Sequence, residues 1–221
     1  NQIALQTAGN NIANVNTPGY SRQSVVLQNL AGQFTGSGYI GKGVDVQTIL
    51  RNHSEFLTRQ AALSSSVSAS DTTRLDQLKQ LENIFQGGAS GLGASVSDML
   101  NSFSDVANAP TDLTARTVAL SRADEMASRF RSASISLEDL QQGVSSQLKV
   151  SVAAVNSLAG RIAAANEQIS RAQGSGQQPN DLYDQRDQLI KEQNQYVQTT
   201  NIPDDDGRIG IFLAGTKPWV R

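Results

Sequence analysis

The sequence has no cysteine, one histidine and few aromatic residues: six Phe, four Tyr and one Trp in 221 residues. Without cysteine there are no disulfides, no thiol nucleophile and no thiolate metal site. A single His excludes a zinc centre built on several imidazoles. Charge is also sparse. Asp and Glu total 20, Lys and Arg total 18, and only 17% of residues are charged, against about 25% in an average domain. A net charge of -2 gives no electrostatic footprint for nucleic acid or for an anionic membrane surface. No run of about 18 consecutive apolar residues occurs, so no transmembrane helix is expected. Lack of cysteine suits the cytosol, and equally a chain exported unfolded.

What the chain does have is helical periodicity, interrupted in few places. Ile3, Leu5, Ala8 and Ile12 share one face of a short helix. NVNTPG, Asn14 to Gly19, ends it, because Pro18 cannot continue a helix and Gly19 frees the backbone. Ser24 to Gln28 reads as a strand, and Ala31 to Gly43 as a glycine-rich loop. Val44, Val46 and Thr48 alternate with polar residues as in a half-buried strand. A long helix is predicted from about Ser54 to Gln86, a second after GGASGLG with Ser95 and Asp98 as a capping box, and a third capped by Thr111.

That third helix carries the strongest pattern. Leu137, Leu140, Val144, Leu148, Val152, Val155, Leu158, Ile162, Ala165 and Ile169 recur at steps of three or four, a coiled-coil-like seam. If it is continuous from Asp112 to Gln173, the helix is about 90 Å long. It needs an antiparallel partner, and Ser54 to Gln86 is the obvious one. GSGQQP breaks the pattern, and Asn180 is expected to cap a shorter helix. Val197 and Thr199 should then pair with Ile209, Ile211 and Leu213 across Asp206-Gly207, with a third strand near Trp219. The expected fold is mainly α: an elongated helical bundle with small β segments at both ends. The segments are 1–52 (terminal core helix and connector), 53–195 (helical bundle) and 196–221 (the start of a β-rich region). Helical periodicity already running at Asn1 and a stop at KPWVR read as a piece cut at both ends.

Motifs that suggest chemistry fail on context. GSGYIGKG, Gly36 to Gly43, nearly fits two phosphate-binding loops. Gly43 stands where a magnesium-binding hydroxyl belongs, and a strand rather than a helix follows. Asp204, Asp205 and Asp206 precede Gly207, yet Ile202 occupies the first calcium-ligand position. His53 lies before a helix with no nucleophile elbow elsewhere, and reads as a surface residue next to a cap. No catalytic, cofactor or metal residues are assigned. Amide-rich, weakly charged surfaces suit repeated protein contacts, since few charges need desolvating.

One segment goes further. Gly9 to Gln23 reads GNNIANVNTPGYSRQ. It resembles the N-terminal signature of the bacterial flagellar axial family, the rod, hook and hook-associated proteins, through Asn10, Asn11, Ile12, Ala13, Asn14, Thr17, Pro18, Gly19 and Tyr20. Arg22 and Gln23 after Tyr20-Ser21 are similar to the Y-[ST]-R-Q of the hook-associated branch. Asn180 to Leu189, NDLYDQRDQL, resembles that branch's N-[DN]-L-L-D-Q-R-D-x-L, with Tyr183 where Leu is usual.

The resemblance implies a structural subunit with no enzymatic activity and no cofactor. It implies export through the flagellar type III apparatus and an extracellular place on the flagellum. It implies a ring of copies between hook and filament, self-assembling through terminal helices. The implied partners are the hook protein, the other junction protein, copies of itself, and an export chaperone bound outside this stretch, with neither nucleic acid nor membrane. Asn10, Asn11 and Asn14 would bond neighbouring subunits or cap the helix end, and the seam would lie inside the helical domain. Alternatives within reach are another axial protein of the hook or distal rod, a wall hydrolase accompanying the flagellum, or a coiled-coil adhesin.

Overall fold

The computed structural model describes residues 2–174, 178–213 and 217–220. Among these, five helices and seven strands follow in the order α1 (Gln2–Ala13), β1 (Gln23–Asn29), β2 (Gln33–Phe34), β3 (Tyr39–Ile40), β4 (Val44–Arg51), α2 (Glu55–Ile84), α3 (Leu92–Asn108), α4 (Leu113–Gln173), α5 (Asn180–Gln193), β5 (Thr199–Pro203), β6 (Ile209–Leu213) and β7 (Lys217–Val220). The fold is mainly α, with small sheets toward both ends of the chain.

The chain divides into two compact units, 1–70 with 152–221, and 71–151. The first draws together both ends of the sequence, so it cuts across the segments 1–52, 53–195 and 196–221. The reason is side-chain chemistry: α5 bonds to the loop after α1 and to β4.

In the first unit, β1 and β4 pair antiparallel with an irregularity at Val26/Leu27. The segment read as a loop holds a short hairpin, β2 paired with β3. Phe34 and Tyr39 set their rings 5.4 Å apart across it. β5 pairs with β6 from Thr199↔Leu213 to Pro203↔Ile209, and β6 with β7. Val197 falls just before the ladder. The β5–β6 turn closes on Asp204 and Gly207, whose φ of 77° suits glycine. Asp206 bonds Arg208 and Ser170, which is the work of a turn rather than of a cation site. The core is Leu158 and Ile162 of α4, Leu189 and Ile190 of α5, and Ile211 of β6.

In the second unit, α3 buries Ser95 and Ser102 and leaves Leu100 and Phe103 more than half exposed. Its cap differs from the expected box. Gly91 sits at the N-cap, and the Ser95 hydroxyl donates back to the Leu92 carbonyl within the helix. α4 is capped by Asp112, which accepts from the Thr114 N–H at 2.7 Å, rather than by Thr111. Gln77, Gln80, Asn83 and Ile84 of α2 face Leu140, Gly143 and Val144 of α4 across an open groove.

α2 buries none of its residues, so it does not seal the seam. Leu137 and Leu140 are half-buried and Val144, Leu148 and Val152 exposed. Val155 is half-buried, while Leu158, Ile162, Ala165 and Ile169 are buried. Only the C-terminal third of the seam, against α5 and β6, is core. The expectation of no membrane-length apolar helix also needs amending. Among the described residues α4 is long and apolar enough to cross a membrane by length and composition, because Ala and Val dilute its charges without forming an unbroken run.

Candidate functional site

The signature segment is a tight exit from α1, and the side chains of Asn11, Asn14, Thr17 and Tyr20 are bonded within the chain. Past Ala13 the backbone turns on Val15 N–H to Ile12 and Thr17 N–H to Asn14. The Asn14 side chain donates to the Asn10 carbonyl at 3.0 Å and accepts from the Thr17 hydroxyl at 3.2 Å. Both bonds are local to the helix exit.

Asn11 does more. Its amide donates to the Gln23 carbonyl at 2.8 Å, and its oxygen accepts the Gln23 N–H at 2.9 Å. The side chain thus acts as a strand partner at the start of β1. The same oxygen accepts the Tyr20 hydroxyl at 2.9 Å. Burial, then the nearby Asp181 and Asp184, raise the Tyr20 pKa, which keeps the phenol a donor. Asn10, Ile12, Ala13 and Arg22 are exposed. Arg22 contributes its carbonyl, which accepts from Asn52 N–H at 2.8 Å.

α5 receives this loop. Gly19 has φ 83°, and a Cβ there would come within 2.9 Å of Gln188 Cβ. The Ser21 N–H donates to Asp184 at 2.8 Å, and the Gln23 amide to Asp181 at 3.2 Å. Positions 181, 184 and 188 step by three and four, so they form one helical face.

An adjacent face holds β4 and the C-terminal hairpin. Arg51 Nη1 lies 3.0 Å from Asp184 and 2.7 Å from Asp187. Its guanidinium stacks at 5.3 Å on the Tyr183 ring, and that of Arg186 stacks at 5.2 Å on the same ring. Arg186 is buried, donates to the Gly207 carbonyl at 2.7 Å and pairs with Asp187 at 3.4 Å. Burial lowers its pKa and Asp187 opposes that shift. His53 was expected at the surface. Its side chain is only 19% exposed and sits 3.7 Å from Asp187.

Asparagine is used this way repeatedly. Asn166 exchanges two bonds with the Ile209 backbone, at 2.8 and 3.2 Å. Asn180 is the first residue of α5, not its cap, and donates to Ile49 in β4. Asn194 holds Thr199 at the start of β5. Buried carboxamides, each offering a donor and an acceptor, fix strand ends to helices without charge or disulfide. Sequence reasoning did not assign Arg51, Asn166, Asp181, Asp184, Arg186 or Asp187 to the site. The available signal was NDLYDQRDQL, whose two interleaved helical faces supply most of them.

The sequence family described as "Flagellar hook-associated protein FlgK helical domain" matches residues 78–221. The chain belongs to the FlgK family of flagellar hook-associated proteins. A second family, "Flagella basal body rod protein", matches residues 1–20, the α1 and signature stretch. Among FlgK relatives, flagellar hook-associated protein 1 of Salmonella typhimurium is 34% identical over 96% of this chain, and that of Bacillus subtilis 33% identical over 86%. The chain spans 39% of the length of each. The structure of the flagellar hook junction protein FlgK from Burkholderia pseudomallei matches with a TM-score of 0.68 at 30% identity, over 74% of this chain and 29% of that one.

Proposed function

We propose that this chain belongs to a structural subunit that joins hook to filament in the bacterial flagellum, and that it carries no enzymatic activity. The observation that carries this reading is the pairing of an axial-family signature at residues 1–20 with a hook-associated helical domain at 78–221. Rod and hook proteins share the first feature. The second separates a junction subunit from them and from a wall hydrolase.

In this reading α1 packs with neighbouring terminal helices, supported by its exposed Ile3, Leu5 and Ile12. The signature loop redirects the chain away from that core, and α5 anchors the loop within its own unit. The partners are the hook protein, the second junction protein and further copies in a ring. An export chaperone would bind outside this stretch, and export would follow the flagellar type III route to the cell exterior. Asn10, exposed beside the occupied Asn11 and Asn14, is the amide of the trio best placed for a neighbouring subunit.

Cells lacking the full protein should build hooks that carry no attached filament, visible by negative-stain microscopy. Complete filaments on those cells would overturn the reading.

A further inference from the structure

Outside the β1–β4 ladder, the side-chain ties from the signature loop to the body of its unit run to one helix, α5. Asp184 is the most heavily used. One carboxylate oxygen accepts the Ser21 N–H at 2.8 Å and the other faces Arg51 at 3.0 Å. Its side chain is 8% exposed. Asp181 takes the Gln23 amide, and Gln188 fills the space beside Gly19. Gln23 is also the residue that Asn11 clamps from α1. A continuous chain of contacts therefore runs from α5 through residues 19–23 to the last turn of α1. The two ends of this chain are far apart in sequence. Ser21 and Asp184 are 163 positions apart, and Gln23 and Asp181 are 158 apart.

We propose that Asp184 is a positioning residue that fixes the direction in which α1 leaves its unit, so that the signature loop takes its final shape only when α5 has folded against it. The loop alone holds Asn14, Thr17 and Tyr20 by local bonds, but nothing within residues 10–23 reaches the Ser21 N–H. Ser21 is half-buried, and an N–H turned from water without an acceptor is costly, so the loop favours the geometry in which α5 supplies one. For the junction role, on which only this consequence rests, α1 would be aimed for packing after the downstream α5 motif has folded, and not before.

The chain's lack of cysteine makes the test direct, because two introduced cysteines are the only labelling sites. Gln6→Cys on α1 and Lys191→Cys on α5 are both at exposed positions. Spin labels there should report a single narrow distance in the parent chain. Asp184→Asn keeps the shape but offers one acceptor oxygen instead of two, so it cannot serve both Ser21 and Arg51. It should broaden the distribution and speed amide exchange at Ser21 by about tenfold or more, as expected for one lost charge-assisted bond.

Asp187→Asn is the matched control. It removes the same charge from the same helix and the same Arg51 partner, yet bonds no atom of residues 10–23. It should leave the distance narrow while lowering the melting temperature. Asp181→Ala, at an exposed position where folding is not at risk, should broaden the distribution in the same sense as Asp184→Asn. Equal broadening in Asp184→Asn and Asp187→Asn would overturn the proposal, and so would no broadening in Asp184→Asn and Asp181→Ala. These measurements use the isolated chain, so their outcome is independent of whether the protein sits at the hook–filament boundary.

Discussion

Arg51→Met is expected to lower the stability of the unit formed by 1–70 and 152–221 by about 3–5 kcal/mol, the range seen when one member of a buried ion cluster is removed. Two carboxylates converge on this one guanidinium, Asp184 at 3.0 Å and Asp187 at 2.7 Å. All three side chains are less than a fifth exposed. Methionine keeps much of the volume but leaves two negative charges side by side without their nearest cation. Arg186 compensates only partly, because its pairing with Asp187 is longer, at 3.4 Å, and it is committed to the Gly207 carbonyl. Arg51→Lys should recover part of the loss and not all of it. A lysine restores the point charge, but it cannot stack a planar guanidinium on Tyr183. Urea unfolding at neutral pH reads the effect. A loss below about 1 kcal/mol would mean that water screens the cluster as it screens a surface pair.

The second large effect separates two residues that the sequence makes look equivalent. Leu148 and Ile162 both belong to the α4 seam. Ile162 is fully buried among Leu158, Leu189, Ile190 and Ile211. Leu148 is 63% exposed. Ile162→Ala should cost about 2–5 kcal/mol through lost transfer energy and the cavity left behind. Leu148→Ala should stay within about 0.5 kcal/mol in the same chain. Comparable losses at both positions would mean that the seam is covered along its full length, for instance by pairing of copies in solution, and would show as concentration-dependent stability.

That contrast also marks what periodicity can and cannot say. Steps of three and four reveal that residues share a helical face. They do not reveal what covers that face. The run from Leu137 to Ile169 is one stripe in sequence, and it changes character near Val155 because α5 and β6 arrive only there. Turn chemistry was more informative. α1 stops at Ala13, at the start of the Asn14–Gly19 turn segment, and Asp206-Gly207 joins two period-two strands, because turn residues constrain the backbone locally whatever surrounds them.

Long-range polar contacts left less trace. Asn11, Asn166 and Asn194 bond strand backbone, and a backbone partner has no identity that a sequence could display. An Asn in or just after a helix suits a local cap, a subunit contact or a strand clamp equally well, and only the fold chooses. The cap assignments at Ser95, Thr111 and Asn180 shifted for a related reason. α3 and α5 start at Gly91 and Pro179 with no side-chain cap bond, and α4 uses Asp112 rather than its neighbour Thr111, so the incoming chain path decides the cap and not the nearest polar residue. Arg51 and Asp184, 133 positions apart, carry no local mark of their pairing. The NDLYDQRDQL segment did stand out, through family resemblance, and the structure supplies the physical reason for its pattern: one face of α5 holds the signature loop and the next holds β4 and the β5–β6 hairpin.

A junction subunit whose signature loop and helical domain form one axial building block should sit where hook meets filament. Gold-conjugated antibody raised against this chain and applied to isolated intact flagella tests it most directly. One compact band at the boundary between hook and filament is the predicted result. Labelling spread along the hook or rod, or antigen confined to the cytosol or cell-wall fraction, would contradict it.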